Sequence, residues 1–375
     1  MIKFLHFADV HLDSPFSLCD IKQAEQRRQE LRAAFTSAMT YVRTNGVKYV
    51  LIPGDLFDYD FVTKETVSIV LREFSVNPTT RFIIAPGNHD PYIPDSVWER
   101  TSFPDNVYIF DREELSVFEF PDDNLDIYGY AFTSKKLSLC PFAGMTVTNP
   151  SHINILLGHA DNTSAISDSC PVCERDIELF GADYTALGHI HNTDGVHTVG
   201  ENHLWAYSGC LEGRSFDECG HKGAILLELD GESRRMETKF CCFSHRRYAV
   251  EQIDVTGAGS DDVVASKVSE RVSAKRYGQD TVLRVVLTGS VPPSLSPNVE
   301  KIKAYLASLY GAEVLDRTMP LFDDDILKND LTIRGEFYRT MLPKLTSSDR
   351  RERECAAWAL RYGLSALSGE NITDF

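Results

Sequence analysis

Five times in the first 191 residues a short apolar run leads directly into aspartate, asparagine or histidine, a recurrence that restricts the fold more than any other property of the chain. Phe4 to Ala8 leads to Asp9-Val10-His11, Val47 to Ile52 leads to Gly54-Asp55 and Asp58, and Phe82 to Ala85 leads to Gly87-Asn88-His89-Asp90. Ile153 to Leu157 then leads to Gly158-His159, and Tyr184 to Leu187 to Gly188-His189-Ile190-His191. Almost wholly apolar runs of this length suit strands covered on both faces, and Gly or Pro marks the ends of the last four. The polar groups therefore sit beyond the carboxyl ends of buried strands, where open α/β sheets bind ligands.

The intervening segments are helical. From about Lys22 to Asn45, Leu31, Phe35, Met39 and Val42 recur at three-to-four spacing up to a terminating Gly46. Arg27, Arg28, Glu30 and Arg32 are expected on the solvated face of that helix. A second helix runs from about Lys64 to Phe74, which gives β-α-β-α-β up to Asn88. Trp98 to Asp123 reads as short strands and turns, Leu125 to Tyr130 as a strand and Thr133 to Pro150 as loop. Leu204 to Tyr207, Ala224 to Leu229 and Lys239 to Phe243 are expected as further strands of a second sheet.

Around Arg247 the texture changes to a compact second β-α-β-α-β unit without clustered ligand residues. Its strands are expected at Ala249 to Val255, Val282 to Leu287 and Glu313 to Thr318, and its helices at Asp261 to Arg276 and Pro297 to Leu309. Asp323-Asp324-Asp325 reads as a linker to helical stretches at Ile333 to Leu342 and Asp349 to Leu367. The expected division is 1–245, 246–320 and 321–375.

Asp9, His11, Asp55, Asn88, His159, His189 and His191 make a mixed nitrogen and oxygen donor set. Such a set suits a pair of divalent transition ions, manganese, iron or zinc, better than magnesium or calcium alone. Where chain is extended, Asp9 and His11 project to the same side and can grip one ion. In two-metal sites the ions lie roughly 3.5 to 4 Å apart, lower the pKa of a bridging water and clamp a phosphate for in-line attack. The expected chemistry is phosphoester hydrolysis without a covalent intermediate. His6, His152, His197, His203, His221 and His245 are read as structural residues.

Asp9-x-His11, Gly54-Asp55, Gly87-Asn88-His89-Asp90, Gly158-His159 and Gly188-His189-Ile190-His191 together resemble the five motifs of the calcineurin-like metallophosphoesterases. The resemblance implies an α/β fold, a two-sheet sandwich flanked by helices. It also implies that Asp9, His11, Asp55 and His191 hold a first metal and Asp55, Asn88, His159 and His189 a second, with Asp55 shared. His89 would then donate a proton to the leaving group, steadied by Asp58, and Asp90 would brace the loop by hydrogen bonding.

Leu5-His6-Phe7-Ala8-Asp9-Val10-His11-Leu12-Asp13-Ser14-Pro15-Phe16 and Tyr207-Ser208-Gly209-Cys210-Leu211-Glu212-Gly213-Arg214-Ser215-Phe216 are similar to the SbcD-type DNA-repair exonucleases, in particular their YhaO-like branch. Thr332-Ile333-Arg334-Gly335-Glu336-Phe337 shares this likeness. By that resemblance the chain is a manganese-dependent DNA exonuclease or endonuclease. The second unit would be a DNA-positioning capping domain, and the C-terminal helices would dock on an SMC-like ATPase. Related nucleases also pair as homodimers, though no sequence feature here speaks for it. Arg214, after a glycine-rich turn, is placed to touch a phosphate or to form a salt bridge.

The formal net charge of −17 runs against autonomous DNA binding, which depends on Lys and Arg neutralising phosphates. Bound cations offset part of this, and a partner can carry the basic groove. Two other readings share the ligand set or the helices: an intracellular phosphatase or cyclic-nucleotide phosphodiesterase on a small molecule, and a structural or regulatory subunit of an ATPase complex. Nine scattered cysteines, no signal-like start and no membrane-length apolar run point to the reducing cytoplasm. Cys170-Pro171-Val172-Cys173 lacks two further ligands at zinc-site spacing and is read as two reduced loop thiols.

Overall fold

The computed structural model describes residues 1–17, 20–58, 61–292, 295–321 and 324–367. The chain divides into two compact units, Met1–Arg247 and Tyr248–Phe375. Among the described residues no helix is long and apolar enough to cross a membrane.

The first unit begins with β1 (Ile2–His6), α1 (Ile21–Asn45), β2 (Tyr49–Ile52), α2 (Lys64–Ser75), β3 (Arg81–Ile84), α3 (Val97–Arg100) and β4 (Val107–Ile109). It continues with β5 (Ser116–Phe120), β6 (Leu125–Gly129), β7 (Ile153–His159), α4 (Glu174–Phe180), β8 (Tyr184–Gly188), β9 (His197–Val199) and β10 (His203–Tyr207), then β11 (Gly223–Leu229) and β12 (Met236–Cys242). Two six-stranded sheets result, in the orders β12-β11-β1-β2-β3-β4 and β5-β6-β7-β8-β10-β9. Strands β1 to β4 run parallel, as do β6, β7, β8 and β10.

The apolar runs are continuous because both faces of each central strand are covered. Leu5, Val50, Ile52, Phe82 and Ile84 pack with Leu31, Phe35, Met39 and Val42 of α1 and with Val70 and Phe74 of α2. The alternate residues Phe4, Tyr49, Leu51 and Ile83 meet Ile127, Ile153, Ile155, Leu157 and Tyr184 of the second sheet. On its far side that sheet presents Tyr128, Leu156 and Trp205 to Ile177 and Phe180 of α4. The layers are therefore helix, sheet, sheet and helix, the α/β sandwich expected. Each fully buried Leu, Ile or Phe contributes about 1.5–3 kcal/mol.

Three expectations are corrected. β11 and β12 belong to the first sheet, because β11 pairs antiparallel with β1 from Ile2↔Leu229 to His6↔Ile225. Arg27, Glu30 and Arg32 are buried, at 2%, 9% and 9% exposure, because acids and carbonyls of distant loops meet them across the face of α1. Arg32 donates to Asp13 at 2.8 Å, Arg27 to Glu212 at 3.2 Å, and Arg246 to Glu30 at 2.6 Å. α1 thus clamps the loop after His11 and the loop before Arg214. Of the expected linker, Asp323 lies outside the described residues, and Asp324 and Asp325 open a helix.

The second unit contains β13 (Arg247–Asp254), α5 (Asp261–Ala274), β14 (Thr281–Thr288), β15 (Ser290–Val291), α6 (Val299–Ala304), β16 (Gly311–Asp316) and β17 (Met319–Pro320). Its three-stranded sheet has the order β13-β14-β16 and closes over Val264, Val268, Leu283, Val285, Ile302 and Leu306. α6 is shorter than the Pro297 to Leu309 span expected. α7 (Asp324–Asn329), α8 (Ile333–Leu345) and α9 (Arg350–Leu367) share a small core of Leu327, Tyr338, Leu360 and Leu364.

Candidate metal centre

The loops that follow β1 and β2 run side by side and are tied by amides. Asp9 N donates to Gly54 O at 3.2 Å, His11 N to Asp55 O at 3.0 Å and Leu12 N to Leu56 O at 3.0 Å. To present side chains from so tight a pairing the backbone enters the left-handed region at Asp9, His11, Asp55 and His189, with φ of 51°, 47°, 54° and 98°. Non-glycine residues adopt such angles at a cost, and they concentrate at functional sites. Two glycines give the required clearance. A Cβ on Gly54, itself at φ 90°, would lie 2.3 Å from His159 Nδ1, and one on Gly87 would lie 2.3 Å from Asp55 Oδ1.

The side chains then converge. His11 Nε2 lies 3.3 Å from His191 Nε2, and Asp9 Oδ1 lies 3.9 Å from the same His191 nitrogen. Asp55 Oδ2 stands between two rings, 3.6 Å from His11 Nε2 and 3.4 Å from His159 Nε2. Asn88 Oδ1 faces His159 Nε2 at 2.8 Å. Asp9, His11 and His191, and likewise Asp9, Asp55 and His159, each bring three ligand atoms within 4.8 Å of one another. The His189 amide donates to Asp9 Oδ1 at 3.0 Å, while its ring packs edge-on to His159 and reaches Asp161 Oδ2 at 4.0 Å. His189 is therefore near the cluster but outside its tight groupings.

This arrangement fits cations better than it fits itself. His159 Nδ1 lies 3.0 Å from the Pro53 carbonyl, so its proton belongs there and Nε2 is left with a lone pair. That lone pair faces the acceptor oxygens of Asn88 and Asp55. Asp9, His11, Asp55 and His159 are all at most 1% exposed, and buried carboxylates without a positive partner are costly. Burial pushes the Asp9 carboxyl up to about 6, although His191 pulls it down. Burial, then the Arg214 charge, holds His11 well below the usual imidazole range, and burial likewise lowers His159 and His189. His191 differs: burial lowers it, but the Glu218 hydrogen bond and Asp9 outweigh burial and raise it. His11, His159 and His189, favoured as neutral imidazoles beside carboxylates, form with it a ligand set for divalent metal.

His89 stands at the rim, its side chain 50% exposed, and Nδ1 donates to Asp58 Oδ1 at 3.4 Å. The Asp58 hydrogen bond raises its pKa against burial, which lowers it. Asp90 lies behind the loop, accepting from the amides of Gly87 at 2.8 Å and of Asp55 and Phe57 at 3.1 Å each. Arg214 forms a salt bridge with Glu218 at 3.0 Å, and the same guanidinium nitrogen lies 3.0 Å from His191 Nδ1.

Sequence reasoning missed Glu218, Asp161 and Asp13. Glu218 Oε1 lies 2.6 Å from His191 Nδ1, yet 27 residues of chain separate the two and no motif spacing marks it. Asp13 closely follows His11, and only its burial with Arg32, Thr63 and Thr66 distinguishes it from a loop carboxylate.

A family model described as calcineurin-like phosphoesterase matches residues 2–193. The chain is similar to a Bacillus subtilis protein described as an uncharacterized metallophosphoesterase, YhaO, with 26% identity over 93% of this chain and 88% of that one. It is 22% identical to a subunit of the nuclease SbcCD from Staphylococcus epidermidis, over 63% of this chain and 68% of that one. It is 23% identical to the DNA double-strand break repair protein Mre11 of Methanopyrus kandleri, over 75% of this chain and 65% of that one.

Proposed function

The chain belongs to the calcineurin-like phosphoesterases, and from that premise we propose that it is a dinuclear-metal phosphodiesterase, a manganese-dependent DNA nuclease that works with an SMC-like ATPase. The observation that carries the hydrolytic part is the position of Asp55 Oδ2 between His11 Nε2 and His159 Nε2, at 3.6 and 3.4 Å. A buried carboxylate oxygen standing between two imidazole nitrogens is suited to be shared by two cations. Asp9, His11, Asp55 and His191 would hold one ion, and Asp55, Asn88, His159 and His189 the other. When bound, such a pair supplies an acidified water and neutralises charge on a phosphoryl group.

The chain's own groups do the rest. His89, raised in pKa by Asp58 and exposed at the rim, holds a proton where a leaving oxygen can receive it. Glu218 orients His191, and Asp90 holds the loop that presents Asn88 and His89. The likeness to a nuclease subunit and to a DNA double-strand break repair protein supports DNA as substrate, and the first of these being a subunit supports a partner. On this reading residues 1–245 are the nuclease domain, 246–320 a DNA-guiding capping domain and 321–375 a linker and the helices that dock the ATPase. The odd number of cysteines supports a reducing cytoplasm.

One observation favours a second reading. A net charge of −17 suits a small phosphodiester better than a polyanion. Incubation with manganese, labelled single- and double-stranded DNA and a chromogenic phosphodiester at low salt separates the two. The nuclease reading requires metal-dependent DNA breakdown that chelation abolishes. Brisk hydrolysis of the chromogenic phosphodiester with intact DNA contradicts it.

A further inference from the structure

One imidazole of the candidate metal centre faces two ways. His11 turns Nε2 toward His191 Nε2 and Asp55 Oδ2, at 3.3 and 3.6 Å. Its other nitrogen, Nδ1, lies 4.0 Å from Asp58 Oδ2, beyond hydrogen-bonding reach. His11 is fully buried, so Nδ1 is a buried polar atom without a hydrogen-bond partner. Few buried side-chain nitrogens are left in that state, and a bound ion is one of the things that account for those that are.

Asp58 and His89 stand around this nitrogen. Asp58 Oδ1 lies 3.4 Å from His89 Nδ1, and the rings of His11 and His89 meet edge-on with centroids 4.8 Å apart. One ligand atom from each of His11, Asp58 and His89 lies within 4.8 Å of the other two, a grouping as tight as those of the metal pair. Asp58 and His89 hold neither ion of that pair. The grouping is open to solvent, because the His89 and Asp58 side chains are 50% and 16% exposed. Two imidazole nitrogens and one carboxylate oxygen with an open side are a donor set for zinc, and a poor one for magnesium or calcium, which take oxygen ligands.

We propose that His11, Asp58 and His89 form a third cation site, at the rim, which takes zinc and silences the centre. His11 then bridges two cations, the first ion of the pair through Nε2 and the zinc through Nδ1. The His11 Nδ1 proton and the His89 Nδ1 proton both pass to solvent as the zinc enters. The zinc occupies the place between His89 and Asp58 where the His89 proton lay, and the leaving oxygen loses its donor. That inhibitory consequence rests on the proposed function, whereas the site itself stands on the three side chains.

The test titrates the metal-free full-length chain, its exposed cysteines alkylated, with zinc under equilibrium dialysis. Two tight equivalents and a weaker third are expected for the wild type. His89→Ala and Asp58→Asn should each lose the third and keep the two tight ones. As the third equivalent fills, zinc should shield His89 from modification by diethyl pyrocarbonate, read by peptide mass spectrometry, and hydrolysis of a phosphodiester should fall. A weaker equivalent retained in either variant, or His89 modified at an unchanged rate in excess zinc, would overturn the site. Full hydrolysis with the third equivalent bound would overturn the inhibition. Wild type that hydrolyses no phosphodiester at any metal concentration would count against the proposed function instead, and the dialysis would still decide the site.

Discussion

Glu218 Oε1 lies 2.6 Å from Nδ1 of His191, and the other oxygen of that carboxylate accepts the Arg214 amide at 2.6 Å. The carboxylate is thereby held on both oxygens and holds the imidazole in turn. With its proton committed to Glu218, His191 turns Nε2 toward His11 and Asp9. Arg214 serves this arrangement as the counter-charge of Glu218, the salt-bridge alternative that the sequence left open for it.

Glu218→Gln keeps the shape but weakens the acceptor, and loss of such an orienting carboxylate typically costs about 10- to 100-fold in metal affinity. Calorimetric titration with manganese should show this loss with the melting temperature nearly unchanged. Unaltered affinity in a folded variant would show that His191 orients without Glu218.

The His89–Asp58 contact predicts a pH effect of definite sign. His89 is raised in pKa by Asp58, and a proton donor works only while protonated, so the rate should fall as pH rises through that value. Asp58→Asn removes the cause and should move this alkaline limb to lower pH. His89→Ala should lower kcat by about 10² to 10⁴ and abolish the limb. A limb unmoved in Asp58→Asn would assign it to another group.

Asp13 offers a test of stability apart from catalysis. Its carboxylate accepts from Arg32 at 2.8 Å, from the amide and hydroxyl of Thr63 at 2.7 and 2.9 Å, and from Thr66 at 2.8 Å. Burial raises its pKa, but these bonds outweigh it and leave the carboxyl below its usual range. Its stabilisation is therefore complete above the unfolded value near about 4 and is lost as pH falls through the lower folded value. Asp13→Asn should cost about 1.5–3 kcal/mol in denaturant unfolding at pH 7. The gap should narrow in acid, and a gap constant with pH would contradict the charged network.

The strand ends were legible because each is written locally: an apolar run, a glycine at four of the five, then a ligand-type residue. Asp9, Asp55 and His159 could be read that way one by one. What joins them was less so. β11 reaches β1 by the register Ile2↔Leu229, which no local pattern encodes. Arg27, Glu30 and Arg32 have the spacing of a solvated helix face, and groups folded in from elsewhere, Glu212, Arg246 and Asp13 among them, turn that face inward. Long-range polar pairing, rather than hydrophobic patterning, is where the sequence was silent.

The central claim is a two-metal centre organised on Asp55, and manganese titration of the wild type against Asp55→Asn tests it most directly. Two tight equivalents per chain are expected for the wild type, with tight binding of both lost in the variant. Two equivalents retained by folded Asp55→Asn would contradict the shared-carboxylate centre.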